Sequence, residues 1–196
     1  MEYQELHETA AKLELIHPSH TSPRAAGVHL YDIIKAMCND LFPREAYPEW
    51  DGLTAEEQQQ RAANFTCGFV WEDMLSRAWG AELAPRISDA QCEGIWINPD
   101  GVRLDDAGGC VWEYKFTAIS SNKRPDEVLR WMMQVKFYCF AMGVLRARFI
   151  VLHAEGDYVR PFKRAVKEWE YTFTREELDD NMRAIINYAR SKGMIQ

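Results

Sequence analysis

Asn98-Pro99-Asp100-Gly101 is followed by a strand-like run that contains Glu113-Tyr114-Lys115. The two segments read as the start and finish of a β-hairpin. A strand alternates its side chains between faces, so Val111, Glu113 and Lys115 point one way while Trp112, Tyr114 and Phe116 point the other. The acid and the amine therefore share a face. Asp100 rides on the turn-prone Pro-Asp-Gly, and pairing of the two arms brings it beside Glu113. Two carboxylates and one amine in a small volume are the parts needed to hold Mg²⁺ and hydrolyse a phosphodiester.

The E-x-K spelling is specific to one place in this chain. Lys12, Lys35, Lys123, Lys136, Lys163, Lys167 and Lys192 follow Ala10, Ile33, Ser121, Gln134, Pro161, Ala165 and Arg190 at the same offset, so only Lys115 has an acid two residues before it. The ordinary alternative is a cross-strand ion pair on a solvated face, a common fate of Glu and Lys in antiparallel sheets. On the hairpin alone both readings stay open.

Beyond the hairpin, a polar loop holding Ser120, Ser121, Asn122, Lys123, Arg124 and Pro125 leads into an apolar-rich helix expected over 126–142 and stopped by Gly143. Gln134 and Tyr138 are four apart on it and stack on one face. Upstream, Gly68 is followed four residues later by Glu72. In this order, G-x-x-x-E, P-D-G, E-x-K and Q-x-x-x-Y, the chain resembles the PD-(D/E)xK nuclease superfamily, specifically its RecB-like and phage-type exonuclease branch. The motifs run from Gly68 to Tyr138.

The resemblance implies an α/β fold with a restriction-endonuclease-like core, a central mixed β-sheet flanked by helices. It implies Asp100, Glu113 and Lys115 as catalytic residues. A Mg²⁺ or Mn²⁺ cofactor would be held by Asp100, Glu113, the main-chain carbonyl of Tyr114 and Glu72. Oxygen donors of this kind suit a hard dication that keeps several of its waters. Lys115 would either orient the attacking water or stabilise the pentavalent phosphorus, and the sequence leaves both roles open. Gln134 and Tyr138 would position the substrate, with Lys123, Arg124 and Arg130 as further nucleic-acid contacts. For Gln134 and Tyr138, plain core packing is the competing explanation.

A chain of 196 residues with 47% hydrophobic content is long enough for one well-buried domain. The expected division is a helical N-terminal part over 1–53, a catalytic core over 54–170 and a C-terminal packing helix over 171–196. No apolar run approaches a membrane span and the start has no signal-peptide pattern, so a cytoplasmic protein, in the host cell if viral, is expected without membrane association. Cys38, Cys67, Cys92, Cys110 and Cys139 are scattered without C-x-x-C spacing, which predicts reduced core thiols. Nothing after Cys139 could serve as the late cysteines of iron-sulfur relatives. His17 and His20 lack third and fourth partners at zinc spacing.

The net charge of −7 runs against nucleic-acid binding, which relies on basic surface. Its distribution differs: from Lys115 to Lys167 there are eleven basic residues against four acids. Asp105 and Asp106, before Ala107-Gly108-Gly109, read as turn residues.

Helices are expected over 2–15, 30–39 and 54–79, the last with a Thr54–Glu57 capping box and an interruption near Asn64. A linker over 17–23 and a loop over 41–53 separate them. Strands are expected over 84–87, 91–97, 109–117, 146–153 and 158–166. The last helix opens with a Thr174–Glu177 capping box and a Phe173–Leu178 hydrophobic staple, and its stripe is Leu178, Met182, Ile185, Ile186 and Ala189.

The leading expectation is a divalent-metal-dependent deoxyribonuclease, an exonuclease of recombination, repair or phage DNA processing. DNA is its partner, with a homo-oligomer or a helicase or recombination partner left open. The alternatives are a catalytically silent nucleic-acid-binding module of the same fold and an acidic DNA-mimic interaction protein.

Overall fold

Leu30, Ile33, Ile34, Met37 and Cys38 recur at the spacing of one helical face. In the structure, a computed structural model that describes residues 26–43, 50–79, 84, 89–106, 108–117, 123–153 and 166–196, they form the buried side of helix α1 (Leu30–Leu41). Helix α2 (Ala55–Trp79) starts where Thr54 and Glu57 cap each other: the Glu57 N–H donates to Thr54 Oγ1 and the Thr54 N–H to Glu57 Oε2. It runs through Asn64 without the expected interruption. Helix α3 (Leu129–Met142) ends at Gly143, whose left-handed backbone (φ 69°) takes the chain out of the helix. Helix α4 (Arg175–Ser191) has the predicted Thr174–Glu177 capping box, and its apolar stripe is buried as expected.

Seven strands complete the described residues: β1 (Val28–His29), β2 (Ala90–Cys92), β3 (Ile95–Ile97), β4 (Gly101–Arg103), β5 (Cys110–Thr117), β6 (Arg146–His153) and β7 (Val166–Thr172). They form two sheets, ordered β1-β3-β2 and β4-β5-β6-β7. Both are mixed. In the larger, β4 and β7 run antiparallel to their neighbours while β5 and β6 are parallel, with Glu113 beside Phe149 and Lys115 beside Val151. A parallel pair needs a crossover, and α3 supplies it.

The mixed α/β architecture is thus present, with helices on both faces of the four-stranded sheet. Odd-numbered residues of β5 and β6, such as Val111, Ala147, Phe149 and Val151, join a core with α3, behind which α1 and α4 pack. Even-numbered residues, Trp112 and Ile150 among them, pack against Trp71 and Leu75 of α2. Both faces of β5 are covered, so Glu113 is drawn into the interior.

Several expectations shift. The single strand over 91–97 is a hairpin that reverses at Glu93-Gly94, both at positive φ (53° and 76°), as a two-residue turn requires. The helix expected from Asp126 begins at Leu129, after a separate 3-10 turn over Pro125–Glu127. A 3-10 turn over Trp50–Gly52 interrupts the loop expected over 41–53. Strand β7 follows the stretch where a strand was expected, sharing only Val166 with it. Cys67 is exposed, so not every thiol belongs to the core. The expected helix over 2–15, the linker over 17–23 and the strand positions 85–87 and 158–165 lie outside the described residues. No helix among the described residues is long and apolar enough to cross a membrane.

Candidate active site

Gly101 sets the geometry of the first carboxylate. A Cβ at this position would lie 2.8 Å from Ala84 Cβ and 2.9 Å from its carbonyl oxygen, so only glycine lets β4 pass the Ala84 backbone. Asp100 therefore enters β4 from a fixed point. The register pairs Gly101 with Trp112, and one residue further the Asp100 carboxylate accepts the Tyr114 main-chain N–H at 2.7 Å. Continuing that register would set Pro99 opposite Tyr114, and proline has no N–H to extend the ladder. The side chain of Asp100 takes over where the strand partner stops.

Glu113 lies at the centre of β5 and is 1% exposed. Its Oε2 accepts a hydrogen bond from Lys115 Nζ at 2.5 Å, and its Oε1 is buried with no hydrogen-bond partner. A buried carboxylate oxygen without a hydrogen-bond partner is costly, and its chemistry suits a cation. Burial pushes the Glu113 carboxyl well above the usual carboxylate range; the Lys115 ammonium works against the shift and the Asp100 charge adds to it. For Lys115, burial disfavours the ammonium, but the charges of Glu113 and Asp100 outweigh it and hold the amine protonated. The expected neighbourhood of Asp100, Glu113 and Lys115 is present.

From α3, Gln134 Nε2 donates to the Tyr138 hydroxyl at 2.8 Å. Tyr138 is buried and its phenol is shifted upward, first by burial and then by the charge of Glu113, with Asp100 contributing in the same direction. Gln134 and Tyr138 thus join one another, and Tyr138 borders the carboxylates while also packing in the core. Its burial is what the core-packing explanation expects.

Glu72 occupies the half-buried side of α2, near enough for its charge to act on Tyr114. Among the described residues, however, no three His, Cys, Asp or Glu side chains are grouped to hold a metal ion. A group of Glu72 with Asp100 and Glu113 close enough to share an ion is therefore not formed among the described residues; α2 packs, through Trp71 and Leu75, on the Trp112 side of the sheet. Two carboxylates remain for a cation. In a strand the N–H and C=O of one residue face the same side, so the Tyr114 carbonyl faces the Asp100 side with its N–H. Two carboxylates and a carbonyl, one carboxylate oxygen without a partner, fit Mg²⁺ or Mn²⁺, which need few protein ligands.

The three basic candidates are less concentrated than expected. Lys123 and Arg124 are exposed before the 3-10 turn, and Arg124 is engaged locally, its N–H with Glu127 Oε2 at 2.7 Å and its guanidinium with Asp126 at 2.8 Å. Arg130 lies half-buried in the first turn of α3. Thr117 and His153, which sequence reasoning passed over, are buried polar residues paired across β5 and β6 on the Glu113 face. Strand alternation was their only sequence signal.

No protein-family model matches the chain, and no curated protein matches it. Solved structures do. A protein designated SSO0001 is 12% identical, with a TM-score of 0.48 over 92% of this chain and 85% of that one. A phage-related exonuclease from Haemophilus somnus is 12% identical, with a TM-score of 0.45 over 83% and 79% of the two chains. An alkaline exonuclease from Laribacter hongkongensis is 11% identical, with a TM-score of 0.42 over 85% and 89%. Identity at this level leaves the chemistry to be decided by this chain's own side chains.

Proposed function

We propose that the protein is a Mg²⁺- or Mn²⁺-dependent nuclease that hydrolyses DNA phosphodiester bonds, an exonuclease of recombination, repair or phage DNA processing in the PD-(D/E)xK superfamily. The observation that carries this reading is the buried Glu113, which shares one carboxylate oxygen with Lys115 and keeps the other without a partner, on the strand whose next N–H is bound by Asp100. A solvated surface ion pair would not bury its carboxylate. Asp100, Glu113 and the Tyr114 carbonyl would hold the cation. When bound, such a cation acidifies a water and offsets charge that develops on the phosphoryl oxygens.

The chain's own residues supply the remainder. Lys115, held as an ammonium, is suited to stabilise the negative phosphoryl group, which favours that role over proton abstraction. Gln134 fixes the Tyr138 hydroxyl, and the pair orients the substrate from α3. Glu72, on α2, acts by its charge on Tyr114.

End-labelled DNA, single- and double-stranded, incubated with Mg²⁺, Mn²⁺ or EDTA tests the proposal. Cleavage should require the dication, and Asp100→Ala and Lys115→Ala should each lower the rate by at least about 100-fold. Cleavage in EDTA, or at an unchanged rate in both variants, overturns the mechanism. Binding without hydrolysis would instead leave a catalytically silent module.

A further inference from the structure

Helix α2 runs for 25 residues, and among the described residues its contribution to the core on the Trp112 side of the sheet is Trp71 and Leu75, both near its end. A second apolar line follows another side of the helix. Val70 and Met74 remain 53% and 54% exposed, Cys67 is exposed and Ala63 is half-buried. Ala63, Cys67, Val70 and Met74 follow one another at alternating steps of four and three, the spacing of a helix-pairing seam. Seven residues before Ala63 and seven after Val70, the same face carries Glu56 and Arg77, both exposed. A helix that is apolar on two sides has a second surface to bury.

That face is complementary to itself. With a second copy of the helix turned end over end about the Thr66–Cys67 position, Ala63 comes opposite Val70 of the second copy, Thr66 opposite its Cys67, and Glu56 opposite its Arg77, each contact occurring twice. The small side chains Ala63, Thr66 and Cys67 lie at the middle, where two helix axes can approach closely. The Thr66 hydroxyl already donates to the Ala62 carbonyl at 2.9 Å, so burying it strands no polar group. Arg77 bonds Asp73 at 2.8 Å, but these side chains are 79% and 56% exposed, and so open a pair contributes little and exchanges readily.

We infer that α2 pairs antiparallel with α2 of a second copy of this chain, forming a two-fold dimer whose seam is Ala63, Cys67, Val70 and Met74 and whose two ends are closed by Glu56–Arg77 ion pairs. The charges fix the antiparallel sense, because a parallel pair would set Glu56 beside Glu56 and Arg77 beside Arg77. An isologous contact of this kind is complete at two copies. The inference goes beyond the nuclease reading and stands without it.

Sedimentation equilibrium of the full chain, without DNA or metal, should give a dimer, and Val70→Glu should give a monomer with unchanged circular dichroism. Two measurements keep the test open should Val70→Glu disturb the fold. A short bismaleimide should cross-link wild type and fail on Cys67→Ser. Arg77→Glu should weaken dimerisation at least about tenfold, by setting it against Glu56 of the second copy, and adding Glu56→Arg should restore it. A monomer at every concentration, as when residues 1–25 cover the seam instead, overturns the inference. A trimer overturns it, as does a dimer that survives Val70→Glu and gives no cross-link through Cys67, because either places the contact on another surface.

Discussion

Glu113 is where protonation and metal binding meet. Its carboxyl is raised from 4.5 to about 7, because burial disfavours the charged form more than Lys115 restores it. The native protein therefore holds this proton more tightly than the unfolded chain. Stability from this source is complete below about pH 4.5 and is lost as pH rises through about 7. The exposed Asp40 and Glu57 and the nearly exposed Glu177 shift the other way, and their contribution is lost as pH falls. Comparing wild type with Glu113→Gln isolates the buried group. Urea midpoints of metal-free wild type should decline relative to the variant between pH 5 and 8, and saturating Mg²⁺ should flatten that decline, since the cation takes the ionised carboxylate. A difference independent of pH would contradict the assignment of the raised carboxyl to Glu113.

The elements show why parts of the site could be read in advance. Cross-strand geometry follows from alternation and a turn, so the neighbourhood of Asp100, Glu113 and Lys115 was legible from spacing, whereas reading it as a metal site rather than an ion pair rested on the order of the four motifs. The Gln134–Tyr138 pair needed only a helical period. Glu72 was not legible in the same way, because its distance from the carboxylates depends on how α2 docks against the sheet. The Glu93-Gly94 reversal was missed because a glutamate gives no warning of positive φ. In β7, Val166–Thr172 alternates charged with aromatic residues, and its charges obscured a strand that pairs with β6 along its length. The capping signals were legible and carry measurable stability. Thr174→Ala removes the acceptor of the Glu177 N–H and should cost about 1 kcal/mol, lowering Tm by roughly 2–4 °C. Mn²⁺ affinity should not change, because α4 contributes no ligand. A coupled loss of metal binding would show that α4 positions the site through α3.

Charge acts at the scale of the whole molecule. The eleven basic residues from Lys115 to Lys167 do not form one open field, because the fold pairs several of them internally. Arg146 bonds Asp105 at 2.5 Å, Arg148 bonds Glu170 at 2.7 Å and Glu168 at 3.1 Å, and Lys136 reaches Glu177 at 3.6 Å. Arg148 also lies 4.9 Å over the Trp112 ring, on the sheet face opposite Glu113. These arginines serve the fold. Each phosphate neutralised contributes about 0.9 to the slope of log affinity against log salt. Arg146→Ala and Arg148→Ala should therefore leave the slope for DNA binding unchanged; a fall of about one unit in either would place DNA on that face of the sheet.

The account depends on Asp100 and Glu113 holding one cation between them. Calorimetric titration of the protein with Mn²⁺ at pH 8, without DNA, tests this most directly. Wild type should bind the ion, and Asp100→Asn and Glu113→Gln should each weaken binding at least tenfold while remaining folded. Undiminished Mn²⁺ binding in both variants would contradict it.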